Sequence, residues 1–399
     1  MEEEVNPTDF PLPQRVRSVQ PSPTVVFREL AQRRLDAGDT VFDLTIGEPD
    51  FDTPAHIIEA AYAALKAGFT HYVNSRGITE LLAAISRKLE SDNHLSYAPD
   101  REILVTLGGK QAIFAAIMAT VEQGDEVLVL DPAWVSYDPM VRLAGGVPVH
   151  VPLSVQDNFR ITEEQLNRHL TGQTRVLILN SPNNPTGRVA TQTELEAVAA
   201  VAQKANLLVI SDEIYEKLVY DDRRHVSIAT LPGMRERTLV VNGFSKTYAM
   251  TGWRLGYVAG PASLIGAVLK VHQHSVTCAT SFVQSAAVAA LNGPQDDMER
   301  MVAEFKARRD LVVAGLNAIP GVKCPQVEGA FYAFPDVSAY GPGEEVGKVL
   351  LQEGGVALVP GSAFGASCAN HLRLSFAASR ETLERALEAM GRVLERMKE

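Results

Sequence analysis

Three short apolar runs, each running into a polar cluster, constrain this chain of 399 residues more than any other feature. Arg175–Asn180 (RVLILN) leads into Ser181-Pro182-Asn183-Asn184-Pro185-Thr186-Gly187. Leu207–Ser211 (LLVIS) leads into Asp212-Glu213-Ile214-Tyr215, and Thr238–Asn242 (TLVVN) into Gly243-Phe244-Ser245-Lys246-Thr247-Tyr248. Unbroken Val/Leu/Ile runs without alternation suit parallel strands covered on both faces. Glu102–Leu107 and Glu126–Leu130 read the same way. Helical segments at Gln111–Val121 and Glu194–Ala205 intervene, the second with Thr193 and Glu196 spaced as a capping box. Alternating strands and helices predict an α/β fold with a mostly parallel, doubly wound sheet. Right-handed crossovers then place the loops after the strand C-termini on one edge, where ligands bind. Asn184, Asp212, Tyr215 and Lys246 are therefore predicted to lie within reach of one ligand.

That residue set narrows the ligand. A lysine amine forms a Schiff base with an aldehyde. A buried carboxylate keeps a pyridine nitrogen protonated, which makes the ring an electron sink. Asn184 and Tyr215 supply hydrogen-bond partners for a ring oxygen. Gly108-Gly109 opens a helix directly after a strand, so free N–H groups and the helix dipole make a phosphate site. Ser245 and Arg254 add a hydroxyl and a bidentate cation. An aldehyde, a pyridine and a phosphate together describe pyridoxal 5'-phosphate. A nicotinamide dehydrogenase, the other reading of a doubly wound sheet, would need a G-x-G-x-x-G fingerprint after an early strand, and none occurs there.

The remaining sequence sets boundaries. Residues 1–24 are rich in proline and polar residues and read as an irregular arm, followed by a helix at about Val25–Ala37 that ends at Gly38. The last third reads as a long charged helix at Asp296–Leu316, strands at Gly329–Pro335, Ala357–Pro360 and His371–Phe376, and a final amphipathic helix at Arg380–Lys398. Net charge is −11, which disfavours nucleic acid or an anionic membrane as a partner. No run of about 18 apolar residues is present to span a bilayer. The Met1-Glu2-Glu3-Glu4 start lacks the basic and apolar regions of a secretory signal. Cys278, Cys324 and Cys368 are far apart and without metal-ligand spacing; they are expected to be buried free thiols in a cytoplasmic protein with no bound metal. His71, His272 and His274 read as packing or surface residues.

From about Val41 to Phe376 the chain resembles a class I aminotransferase of the fold type I pyridoxal-phosphate family, in its aspartate and aromatic branch. The resemblance rests on Gly47-Glu48-Pro49-Asp50-Phe51, His71-Tyr72, Gly108-Gly109-Lys110-Gln111-Ala112, the SPNNPTG loop, SDEIY, NGFSKTYAMTGWRLGY, Gly329-Ala330-Phe331-Tyr332 and Arg373-Leu374-Ser375, in the family's order. It implies an N-terminal arm and helix (1–46) joining a small C-terminal domain (296–399), with a large cofactor-binding domain between (47–295). It implies Lys246 as the lysine joined to the cofactor and as the base that moves the substrate Cα proton. Asp212 falls on the pyridine nitrogen, Asn184 and Tyr215 on the ring oxygen, and Trp134 stacked on the ring. Gly109, the Lys110 backbone, Ser245 and Arg254 fall on the phosphate. Tyr72 matches the tyrosine that reaches the phosphate of a neighbouring subunit, which implies a homodimer with shared sites. Arg373 matches the clamp on the substrate α-carboxylate, and Gly47 a backbone contact to substrate. The Asn184–Pro185 bond is expected to be cis.

Lys110 bears on specificity, because aspartate enzymes of this branch place a lysine here against the distal carboxylate. The expectation is ping-pong transfer from L-aspartate or glutamate to 2-oxoglutarate or a related 2-oxo acid, with prephenate as a further acceptor. Aromatic amino-acid transfer is the alternative, as is a lyase or deaminase reaction on the same cofactor.

Overall fold

The strand residues alternate which face they bury, and both faces turn out to be covered. In the computed structural model, which describes residues 12–21 and 23–398, Leu177, Leu179 and Val209 pack against Leu195, Val198 and Val201 of the helix Gln192–Lys204. Their neighbours Val176, Ile178 and Ile210 point the other way, onto Ala112, Ile113 and Ile117 of the helix Gly108–Thr120. Two covered faces leave no place for alternating polar residues, which is why the runs are unbroken. Each fully buried Val, Leu or Ile contributes roughly 1.5–3 kcal/mol.

In chain order the strands are β1 (Phe42–Asp43), β2 (Ile103–Thr106), β3 (Glu126–Asp131), β4 (Val147–Pro152), β5 (Thr174–Asn180), β6 (Leu208–Asp212), β7 (Thr238–Gly243), β8 (Gly256–Ala259), β9 (Tyr332–Ala333), β10 (Val356–Ala357), β11 (Val359–Pro360) and β12 (Leu372–Ser375). A 7-stranded sheet runs β2-β8-β7-β6-β5-β3-β4. Pairing is parallel from β7 through β6, β5 and β3 to β4. Only β8 runs against its neighbours β2 and β7. The α/β, mostly parallel architecture predicted from the sequence is the one observed.

The C-terminal third is built from shorter pieces. β12 lies between β11 and β9 in an antiparallel sheet of 3 strands. Phe305, Val312 and Leu316 of the helix Asp296–Ala318 share a core with Leu383, Met390 and Val393 of the helix Arg380–Arg396. The N-terminal part returns to this region, since β1 pairs in parallel with β10.

Several sequence expectations need correction. The capping box of the helix Gln192–Lys204 is Thr191 with Glu194, not Thr193 with Glu196. Both pairs have the right spacing, but Glu194 is also held by Arg188 at 2.8 Å and by the Ile161 amide at 2.9 Å, and these tertiary partners fix the register. The strand expected at Gly329–Pro335 shrinks to Tyr332–Ala333, because Ala330 takes a positive φ of 55°. The strand expected at Ala357–Pro360 is two short strands, β10 and β11, in different sheets. The N-terminal arm contains a helix at Gln14–Arg17, and its first 11 residues lie outside the described ones. Cys324 and Cys368 are buried, whereas Cys278 is only half-buried.

Candidate active site

Parallel pairing of β5, β6 and β7 sets their polar clusters side by side. Asn180 and Asp212 are register partners. The Asn180 side chain ties the two loops together: its amide donates to the Asp212 carbonyl and its oxygen accepts from the Asn184 N–H, both at 2.9 Å. The Asn184–Pro185 bond is cis. These loops open onto a cavity of about 330 Å³, within the size range of small-molecule sites. Gly47, Gly109, Lys110, Trp134, Asn184, Asp212, Tyr215, Ser245, Lys246, Arg254 and Arg373 all line it. Tyr72 does not: its residue surface is 86% exposed, outside the cavity.

The Lys246 amine donates to the Gly47 carbonyl at 2.5 Å. Burial lowers its pKa to about 8; Glu48 opposes the fall, while Arg254 and Arg373 add to it. An amine held there is available in its neutral, nucleophilic form near neutral pH. Asp212 is buried, and burial pushes its carboxyl up to about 6 although the Tyr137 hydroxyl donates to it at 2.6 Å and the Ile214 N–H at 3.3 Å. Among the described residues no cation forms an ion pair with it, so a ligand N–H⁺ would supply the missing charge. The Tyr215 and Tyr332 hydroxyls share a hydrogen bond of 2.9 Å, and burial holds the Tyr215 phenol well above its ordinary pKa.

Arg373 is the converse of Asp212. It is 3% exposed and, among the described residues, has no carboxylate partner. It donates to the Thr45 carbonyl and to Asn184 Oδ1 at 3.4 Å, and lies 4.7 Å from the Tyr332 ring centroid. Its Nε has no hydrogen-bond partner among the described residues. A buried guanidinium in that state is costly unless an anion arrives from outside.

A third corner is made for an anion of another kind. The helix Gly108–Thr120 starts at the cavity with no side-chain cap, leaving its first N–H groups free for a ligand. Gly108 has φ +80°, and a Cβ there would lie 2.8 Å from Arg254 Nη2, so glycine is what lets the guanidinium approach. Ser245 lines the same cavity. The Lys110 amine sits 4.8 Å from the Trp134 ring centroid; burial, with help from Arg254, lowers its pKa.

Among the cavity or near-cavity residues that carried no expected role are Thr45, Tyr137, Asn180 and Tyr332. Tyr332 stood in a motif without a role, and Asn180 closed an apolar strand. Tyr137 had the weakest signal, a tyrosine three residues beyond Trp134 at the start of the helix Tyr137–Leu143, where it meets the Trp134 ring edge-on at 5.3 Å. Behind Asp212, the buried acids Glu213 and Glu216 are already engaged. Glu213 pairs with His225 at 2.9 Å and accepts from Ser211 and Ser227, while Glu216 pairs with Lys88 and accepts from Asn93.

Residues 39–390 match the family described as aminotransferase class I and II. A bifunctional aspartate aminotransferase and glutamate/aspartate-prephenate aminotransferase of Petunia hybrida is 46% identical, over 97% of this chain and 83% of its own. Two solved structures superpose closely. One is the aspartate aminotransferase of Rhizobium meliloti, with TM-score 0.94, 39% identity, and 97% and 100% of the two chains covered. The other is an aromatic aminotransferase from Pyrococcus horikoshii OT3, with TM-score 0.88, 46% identity, and coverage of 92% and 99%. The chain belongs to the class I and II aminotransferases. It has the fold type I architecture, and its cofactor is pyridoxal 5'-phosphate. The cavity fits that cofactor by its donor set: an unpaired buried carboxylate, a neutralisable amine, and a glycine-opened anion corner.

Proposed function

We propose that this chain transfers the amino group of L-aspartate or L-glutamate to 2-oxoglutarate or a related 2-oxo acid, prephenate among them. One observation carries the dicarboxylate preference: a single cavity holds both the buried Arg373, which has no carboxylate partner among the described residues, and the Lys110 amine beside Trp134. Two fixed cations suit a substrate with two carboxylates. The names of the Petunia and Rhizobium relatives support this reading.

When bound, pyridoxal phosphate supplies an aldehyde that accepts the amino group and a protonated ring that delocalises the electrons left by the Cα proton. The residues do the rest. Lys246 Nζ would hold and move the substrate Cα proton, a task suited to a pKa near 8. Asp212 would keep a proton on the ring nitrogen, and Tyr137 fixes the orientation of its carboxylate. Asn184 and Tyr215 would hold the ring oxygen, and Trp134 would face the ring. Gly109, the Lys110 N–H, Ser245 and Arg254 would hold the phosphate. Arg373 binds the α-carboxylate, Gly47 offers its backbone to substrate, and Lys110 meets the distal carboxylate.

In this reading residues 47–295 form the cofactor-bearing domain, and residues 1–46 and 296–399 the small one. The pairing of β1 with β10 supports joining the two chain ends. Tyr72 acts from a second copy, which makes the working unit a homodimer; its exposure supports an outward role. The proposed compartment is the cytoplasm. No helix among the described residues is long and apolar enough to cross a membrane.

A panel of amino donors with 2-oxoglutarate, read by identifying the keto acid, tests the proposal. Aspartate is expected to exceed phenylalanine and tyrosine in kcat/KM by about tenfold or more, the scale of one charge-assisted contact. The reverse order would favour the aromatic reading to which the Pyrococcus structure lends weight. Ammonia release without keto-acid transfer would end the transferase reading.

A further inference from the structure

The segment from Leu44 to Phe51 spans from the C-terminal region to the lysine and back. At its start the Leu44 carbonyl accepts from the Ser375 N–H of β12 at 2.9 Å. In its middle the Gly47 carbonyl accepts from Lys246 at 2.5 Å, and Glu48 accepts from Thr251 at 2.6 Å. At its end Asp50 Oδ1 accepts from Arg308 Nη1 at 2.7 Å. Arg308 belongs to the helix Asp296–Ala318 and is 6% exposed. Its guanidinium lies 5.0 Å from the Phe51 ring centroid and 5.6 Å from that of Phe305, and its Nε donates to Glu304 at 3.0 Å. Glu304 is held in turn by Arg380 Nε at 2.9 Å.

Arg308 touches nothing in the cavity, yet it fixes the far end of the loop whose midpoint rests on the lysine. We propose that Arg308 is a positioning residue: by clamping Asp50 and Phe51 it holds Gly47 over Lys246 and so sets the affinity for a dicarboxylate substrate. The substrate half of this inference rests on the function proposed above; the loop half does not. A buried ion pair is weak evidence for stability, since apolar groups of similar volume often serve as well. A planar fork that engages two acceptors and stacks on two rings fixes geometry instead. The consequence is a division of labour within one segment. The backbone bond to β12 locates its start, and a side-chain fork from another element locates its end.

The test uses the cofactor-loaded protein and maleate, a dicarboxylate with no amine to transfer. In Arg308→Met and in Asp50→Ala the maleate Kd is expected to rise about tenfold, the order of loss that follows a displaced binding element. The double variant is expected to be no worse than either single, because the two residues act as one unit. Arg308→Lys, which keeps the charge but not the fork, is expected to fall between. Hydrogen exchange over residues 44–51 reads the clamp without substrate, and is expected to quicken about tenfold in the same variants. Unchanged exchange, or losses that multiply in the double variant, would overturn the clamp. If exchange quickens while maleate binds every variant as tightly as the unaltered protein, the link to affinity is overturned. If the unaltered protein does not bind maleate at all, the substrate reading falls, and exchange still decides the clamp.

Discussion

Asp212 and Arg373 sit in one cavity with opposite charges and the same difficulty. Each is buried, and among the described residues neither has an ion-pair partner. They respond differently. Asp212, at the end of a central strand, can shed its charge at a pH only slightly below neutral, because burial raises its pKa to about 6. Arg373, on a strip of short strands, stays charged at any accessible pH and leans on a carbonyl, an amide oxygen and a tyrosine ring. One end of the cavity adapts its charge and the other adapts its contacts. In both cases the fold carries an uncompensated charge that the right ligand would neutralise.

Substitutions can break or sharpen that contrast. The largest effect is expected at Asp212. Asp212→Asn should lower kcat on the order of 10²–10³-fold, as for loss of a preorganised charge. It should also change how stability depends on pH. A carboxyl whose folded pKa is raised from 3.8 to about 6 favours the fold most below pH 3.8, and loses that advantage as pH rises through about 6. The cofactor-free parent should therefore lose Tm relative to the Asn variant across that window, and a constant difference in thermal melts would contradict this. Next comes Arg373→Leu. It should cut kcat/KM for aspartate about 100-fold, the value of a buried charged contact, while Tm holds or rises because an unpaired charge has gone. An amine substrate without a carboxylate should be unaffected, and an equal loss for it would remove Arg373 from substrate binding.

Smaller effects separate the neighbours of the two ends. Lys110→Ala should cost aspartate roughly 1.5–3 kcal/mol in kcat/KM and leave phenylalanine within about twofold. If aspartate too stays within about twofold, the distal-carboxylate assignment fails. Tyr137→Phe should weaken cofactor binding by about 5- to 10-fold, the value of one buried hydrogen bond. Its hydroxyl holds the Asp212 pKa down, so removing it should shift upward the pH below which the cofactor is lost. Equilibrium dialysis across a pH series checks both.

The two ends also differed in how legible they were. β5, β6 and β7 announced themselves because strands covered on both faces need unbroken apolar runs. Their terminal polar residues then followed from topology, and Asn184, Asp212, Tyr215 and Lys246 do meet. β8 gave no such signal, since Gly-Tyr-Val-Ala is short and opens with a glycine. β4 was hidden by its two prolines, which an edge strand tolerates. Arg373 was placed only through family resemblance, because strands of 2 to 4 residues are too short to show a period. Tyr137 was illegible for another reason: its role is a single contact with Asp212 across a fold that no local pattern encodes.

The order of strands in the large sheet carries a consequence for synthesis. β2 leaves the ribosome early, yet its sheet partner β8 is encoded far downstream, with Ile103 facing Ala259. Such non-local pairing is slow to form. The corner proposed to hold the phosphate unites the turn after β2 with Arg254, just before β8, so it comes together late, after most of the sheet has been made. Uptake of the vitamin-derived cofactor should therefore mark the near-complete chain, and a nascent fragment ending before β8 should remain colourless.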